Sequence, residues 1–337
     1  MRAHPLTGAP PLPKGGIPIN KNILAEARGL TKTFPGKGRK DAVLHAVSQV
    51  DLTVYEGETL ALVGESGCGK STLGRLLLGL IPPTEGQAFF DGQDLAALSP
   101  KDLRALRRQM QMVFQDTAAS LNPRLDVEGV LSEPLRIHDL CPKEAWHDRC
   151  GRLLEQVGLS RDLLVRYPHA LSGGQRQRVV IARALALEPR LVVCDEPVSA
   201  LDVSVQAQML NLLADLQAAN NLTYLFVSHD LSVVRHIADR VCVMFLGRVC
   251  EIGPTREIFQ HPRHPYTKFL LDSVPRPDPT RRDEDRAVLT GEIPSPVAPP
   301  SGCRFRTRCP HAKEICAQAV PPMKTHGERQ AACHFPL

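Results

Sequence analysis

Gly64-Glu65-Ser66-Gly67-Cys68-Gly69-Lys70-Ser71 constrains this chain more than any other stretch, because of what flanks it. Thr59–Val63 reads as a buried strand, and Lys70–Leu80 carries Leu73, Leu76, Leu77 and Leu80 at helical spacing until Pro82 stops the pattern. A strand that runs through a glycine loop straight into a helix turns successive N–H groups inward at a helix N-terminus, where they suit phosphate oxygens. On this pattern Lys70 reaches the β- and γ-phosphates of a nucleotide, Ser71 offers a hydroxyl to Mg²⁺, and Thr72 lies toward the α-phosphate. Gly64, Glu65, Ser66, Gly67, Cys68 and Gly69 form the loop itself, with Cys68 a small filler in its variable part.

A second apolar strand, Leu191–Asp195, delivers Asp195 and Glu196 at its carboxyl end, where open α/β sheets place their ligands. Adjacent acids can divide the labour: Asp195 holds Mg²⁺ through its water shell, and Glu196 orients and polarises the water that attacks a γ-phosphate. Around these two strands the pattern alternates. A helix is expected over about 173–187, another near 203–219, and a strand at 223–228, a rhythm that predicts a parallel sheet flanked by helices. Short β-prone runs from Ile23 to Val54 predict an antiparallel sheet, with a turn at Pro35-Gly36-Lys37-Gly38. Strands at 87–90 and 110–114 flank a helix at 100–108, and 116–172 reads as an inserted helical subdomain. The expected organisation is therefore a flexible tail at 1–21, an ATPase domain at 22–254, helices and a Pro-rich linker at 255–300, and a small, separate cysteine-rich tail at 301–337.

Hydrophobic residues at 43% and charged ones at 23% suit a soluble globular protein, and a net charge of +5 over 337 residues is too diffuse to favour nucleic acid. Met1–Ile19 lacks the apolar run of a secretory signal, and no stretch approaches the roughly 18 apolar residues of a membrane span, so membrane association is expected through partners. Ten cysteines beside a nucleotide-hydrolysis apparatus point to the reducing cytosol rather than to a disulfide scaffold. Four of them, Cys303, Cys309, Cys316 and Cys333, fall in the tail, which raises metal ligation there.

Leu171-Ser172-Gly173-Gly174-Gln175, lying between the phosphate loop and Asp195-Glu196, completes a set of motifs that resembles the ABC ATPases over about Leu24 to Ile252. The resemblance implies a P-loop α/β fold with an antiparallel β-subdomain and a helical insertion. It also implies that Leu171–Gln175 faces the nucleotide of a second subunit, so that one copy holds half of each composite site. Within that family Gln115 matches the glutamine that touches Mg²⁺ and the attacking water, and His229 the histidine that contacts the γ-phosphate. Asp202, in Ser199-Ala200-Leu201-Asp202, matches the loop that crosses the dimer interface and also reads as a helix cap. Phe34 stands where a tyrosine usually stacks on adenine, keeping the aromatic face.

Met110–Asp116 followed by Ser120-Leu121-Asn122-Pro123-Arg124, then His264-Pro265-Tyr266-Thr267, then the cysteine-rich end together resemble ATP-binding subunits of dipeptide and oligopeptide importers. The chain departs from that pattern at Thr117-Ala118-Ala119, where a proline and an aromatic residue are usual. In that family a tail of this kind can hold a [4Fe–4S] cluster, which needs four thiolates. Zinc also accepts four cysteines, although short Cys-x₂-Cys pairs are missing, and unligated thiols remain open. The resemblance implies ATP and Mg²⁺ as cofactors, a second and non-identical ATPase subunit, two transmembrane permease subunits and an extracytoplasmic solute-binding protein, with the chain peripheral on the cytoplasmic side of the membrane. A soluble ABC ATPase acting on nucleic acid or ribosomes is the alternative, disfavoured by the single cassette and the lack of heptads or a dense basic stripe.

Overall fold

Period-two burial organises the centre of the molecule. In a computed structural model that describes residues 22–36, 42–274 and 292–337, Leu60 and Leu62 of the strand Thr59–Val63 pack on one side of a sheet, and Ala61 and Val63 on the other. Tyr224 and Phe226 of Thr223–Ser228 oppose Leu225 and Val227 in the same way, and Val192 and Cys194 of Leu191–Asp195 oppose Leu191 and Val193. Strands buried on both faces read as continuous apolar runs, which is why they were legible.

These three strands and two more run parallel, in the spatial order Arg240–Phe245, Thr59–Val63, Thr223–Ser228, Leu191–Asp195, Met110–Val113. An antiparallel hairpin partner, Arg248–Pro254, extends the sheet beyond Arg240–Phe245. A second, four-stranded antiparallel sheet is built on the long strands Ile23–Pro35 and Val43–Tyr55 together with Glu85–Phe90 and Gln93–Asp94. The expected antiparallel start and parallel core are thus both present, in a mixed α/β architecture. Helices Val127–Ile137 and Trp146–Gln156, with short 3₁₀ turns, pack on Gly173–Leu185 to form the helical insertion.

The cysteine-bearing tail, expected as a separate element, is joined to this core. Arg329–Ala331 pairs with Arg248–Pro254, placing Ala331 opposite Glu251, and Lys324–His326 continues the same sheet. Phe305 is buried against Phe245 and Tyr266, with ring centroids at 5.4 and 5.2 Å. An aromatic cluster of this kind buries apolar area that a free-standing tail of this length would leave in water. The N-terminal tail 1–21 and most of the Pro-rich linker lie outside the described residues, as do Lys37 and Gly38 of the expected turn. Among the described residues no helix is long and apolar enough to cross a membrane.

Candidate nucleotide site

Parallel strands end side by side, so whatever follows each one converges. Val63 is level with Ser228, Val227 with Asp195, and Cys194 with Val113. The next residues along the chain are Gly64, His229, Glu196 and, one position further, Gln115. Sheet register alone therefore brings together residues separated by up to 165 positions.

Gly64 and Gly69 are required by the tightness of the loop. A Cβ on Gly64, at φ 149°, would stand 2.1 Å from the Met244 carbonyl oxygen, and one on Gly69, at φ 104°, 2.1 Å from that of Ala46. The helix Lys70–Leu77 opens directly after this loop, and its first N–H groups lack i−4 carbonyls and present partial positive charge to the cleft. Lys70, buried to 5% exposure, folds its ammonium back onto the carbonyls of Gly64 at 2.8 Å and Glu65 at 3.1 Å. Cys68 is buried beneath the loop, its Sγ 3.8 Å from that ammonium, and burial pushes its thiol above the ordinary cysteine value.

The Ser71 hydroxyl donates to Asp195 Oδ1 at 2.7 Å, so two of the three expected Mg²⁺ partners already meet. Burial raises the Asp195 carboxyl above its ordinary pKa, opposed chiefly by the Ser71 hydrogen bond. A divalent cation there would supply the countercharge that a buried carboxylate lacks, so the donor set fits Mg²⁺. Glu196 stands beside this pair. Gln115 Nε2 donates to its Oε2 at 3.0 Å, and His229 Nδ1 lies 3.1 Å from its Oε1. Its backbone holds φ 49°, a left-handed conformation that costs a glutamate of order 1 kcal/mol, and it is secured by hydrogen bonds from Glu196 N–H to Val227 O and from Ser199 to Glu196 O. Strain of this sort, locked by its surroundings, fits a carboxylate that has to point into the cleft.

Leu171–Gln175 is elsewhere. Ser172 caps the helix Gly173–Leu185 with a reciprocal box: its Oγ accepts the Gln175 N–H at 3.2 Å, and Gln175 Oε1 accepts the Ser172 N–H at 3.0 Å. Leu171 is buried in the helical cluster. Among the described residues no hydrogen bond joins this turn to the phosphate loop of the same chain. Asp202 caps Val203–Asn220, and the Val205 N–H that it accepts at 2.9 Å holds its carboxyl below the usual range. Phe34 is half-buried at the end of Ile23–Pro35, with Lys32 Nζ 5.2 Å from its ring centroid.

The tail cysteines also converge. Cys303, Cys309, Cys316 and Cys333 line one small cavity of about 10 Å³, close to the room needed by a single water, together with His264 and Phe305. All ten cysteines are free thiols, yet among the described residues no group of three or more His, Cys, Asp or Glu is arranged to hold a metal ion. His264 is fully buried and accepts the Tyr266 N–H at 3.0 Å, and burial lowers its imidazole to about 4. In the sequence His264–Thr267 is a mark of resemblance only. The contacts of Tyr266 and Arg308 with the phosphate loop at Glu65 are not legible there, because nothing local relates positions some 200 residues apart.

A profile of the ABC transporter family matches residues 47–199, and one described as the oligopeptide/dipeptide transporter C-terminal region matches 250–316. The chain is 50% identical over 326 residues to the oligopeptide transport ATP-binding protein AppF of Bacillus subtilis, covering 94% of this chain and 98% of that protein. This chain belongs to the ABC transporter ATP-binding proteins. It is also 53% identical over 299 residues to the putative oligopeptide transport ATP-binding protein YkfD of the same organism, covering 88% of this chain and 91% of that one. Among solved structures, the dimeric ATP-binding cassette MJ0796 bound to ADP and Pi superposes with a TM-score of 0.63 at 30% identity, covering 69% of this chain and 99% of that chain.

Proposed function

We infer that this chain is the ATP-hydrolysing subunit of a membrane importer for dipeptides, oligopeptides or related small solutes. The observation that carries the reading is the meeting of Ser71 with Asp195, and of Gln115 and His229 with Glu196, in a chain about half identical to oligopeptide transport ATP-binding proteins. ATP would lie along Gly64–Thr72 with Phe34 against the adenine. Mg²⁺ would be held by Ser71, Gln115 and Asp195, and would neutralise phosphate charge. Glu196 would orient the attacking water, and His229 would contact the γ-phosphate. The Ser172 hydroxyl and the amides of Gly173 and Gly174 would close on the nucleotide of a second, non-identical ATPase subunit, with Asp202 near the seam. ATP binding then favours the closed pair and hydrolysis releases it, a population shift that permease subunits convert into alternating access.

Supporting a permease contact is a groove of about 280 Å³ next to Gln115, where Phe114 and Ile137 remain 41% and 55% exposed beside Arg183 and Glu133. Two permeases and an extracytoplasmic binding protein would complete the complex and hold this chain at the cytoplasmic face of the membrane. ATP-driven accumulation of a labelled peptide in proteoliposomes containing the whole complex tests the reading. ATP hydrolysis that neither responds to peptide-loaded binding protein nor drives uptake rejects it.

A [4Fe–4S] cluster on Cys303, Cys309, Cys316 and Cys333 is the finer part of the proposal. Four free thiols lining one cavity match the ligand number of such a cluster, and the short Cys-x₂-Cys pairs usual for zinc are missing from the tail. When bound, the cluster would cross-link the tail through four thiolates and offer a one-electron couple. Anaerobically purified protein should contain about four iron and four acid-labile sulfide per chain, lost on Cys309→Ser. Zinc, or no metal, in repeated anaerobic preparations rejects the cluster.

A further inference from the structure

The phosphate loop is held from behind by the C-terminal region. Glu65, second residue of the loop, places both carboxylate oxygens 2.9 Å from Nη1 of Arg308, whose side chain is only 8% exposed. The Tyr266 hydroxyl accepts the N–H of the same residue at 2.9 Å. Tyr266 is fully buried, with its ring 4.8 Å from that of Phe245, so the hydroxyl is fixed by packing. The carbonyl of Glu65 in turn receives the Lys70 ammonium at 3.1 Å. One loop residue is therefore gripped by its side chain and its amide, and passes that grip to the lysine expected on the phosphates.

Arg308 keeps its Nε buried without an acceptor while Nη1 serves Glu65, so the guanidinium is oriented for this one contact at the cost of an unpaired donor. Such a contact fixes the loop rather than the tail, because Phe305, three residues earlier, already anchors the tail in the aromatic cluster. We propose that Arg308 and Tyr266 are positioning residues for nucleotide binding, setting the Glu65 corner of the phosphate loop and through it Lys70. The inference rests on the ATPase reading above. It places residues of the oligopeptide-type C-terminal region behind the nucleotide site of the cassette. Because the loop and Lys70 meet the phosphates in ground state and transition state alike, the effect belongs to binding, not to the chemical step.

The test uses the full chain in its complex, with Arg308→Gln, Arg308→Lys, Tyr266→Phe, Glu65→Gln and the Arg308→Gln/Glu65→Gln double variant. Arg308→Gln and Glu65→Gln should each raise the ATP KM about three- to tenfold with kcat within about twofold of wild type. The double variant should be no worse than Arg308→Gln alone, and Arg308→Lys should recover part of the loss. Tyr266→Phe should weaken binding of a fluorescent ADP in the same direction. Should Arg308→Gln fail to fold, Glu65→Gln removes the same pair without touching the tail and decides alone. An unchanged KM in Glu65→Gln, additive effects in the cycle, or lost activity that tracks only thermal stability overturns the proposal. Absence of hydrolysis in the wild type would instead overturn the ATPase reading itself, so the two failures are distinguishable.

Discussion

Glu196 joins chemistry to backbone geometry. Its left-handed φ lifts the carboxylate off the end of Leu191–Asp195, and Gln115 and His229 then take one oxygen each. Replacing it by glutamine preserves the shape and the hydrogen-bonding reach but removes the carboxylate proposed to act on the attacking water. Glu196→Gln is expected to retain ATP and to lower single-turnover hydrolysis by about 10²- to 10⁴-fold, measured by rapid quench. Near-normal turnover would remove Glu196 from the proposed role. The neighbouring acid differs in kind: Asp195 is 3% exposed and hydrogen-bonded to Ser71, which suits a metal partner and not a water-activating group. Sequence order alone could divide the two acids only by analogy, whereas burial divides them physically. Cys68, read as a filler, is one, with the addition that its sulfur lies under the lysine ammonium.

Strands buried on both faces were readable because four to six consecutive apolar residues leave few other options. Helix ends were less so. Lys70–Leu80 ends at Leu77, since Gly79 takes φ 59° and Leu80 N–H turns back to the Arg75 carbonyl at 2.9 Å, closing the helix with a Schellman-type turn. Leu80, which continues the helical spacing in the sequence, thus falls beyond the helix and is 41% exposed. The hairpin Arg240–Phe245 with Arg248–Pro254 was not singled out, and the three-residue strands Lys324–His326 and Arg329–Ala331 are too short to carry any periodicity. These last are the elements that tie the cysteine-rich tail to the sheet. What they dock onto includes the fully buried Glu251, whose carboxylate accepts the N–H groups of Arg263 and His264 at 2.8 and 2.9 Å. That carboxylate is served by a segment 12 and 13 residues further along the chain, and the tail strand pairs beside it, Ala331 opposite Glu251.

The isolated subunit presents Gly173 to open space: a Cβ there meets nothing nearer than Leu201 Cδ2 at 3.9 Å. An aspartate at this first helical position suits the helix dipole, so Gly173→Asp is expected to leave the melting temperature of the separate chain within about 2 °C. In the paired state the same carboxylate would face phosphate across the subunit boundary, and like charges repel strongly there. ATPase activity of the assembled complex should fall at least tenfold, a roughly 1.4 kcal/mol effect or more. Equal loss of stability and activity, or no loss of activity, would show that Gly173 does not face a partner's nucleotide. The strand, loop and helix of the phosphate site, the two carboxylates and the resemblance to the ABC ATPases are legible in the linear sequence, because each is a local pattern of hydrophobic period and glycine placement. Only folding brings Gln115, Glu196 and His229 to one point, four tail thiols to one cavity, and Arg308 and Tyr266 behind Glu65. Those contacts depend on sheet register and on packing between segments up to 243 residues apart, which no local window of sequence encodes.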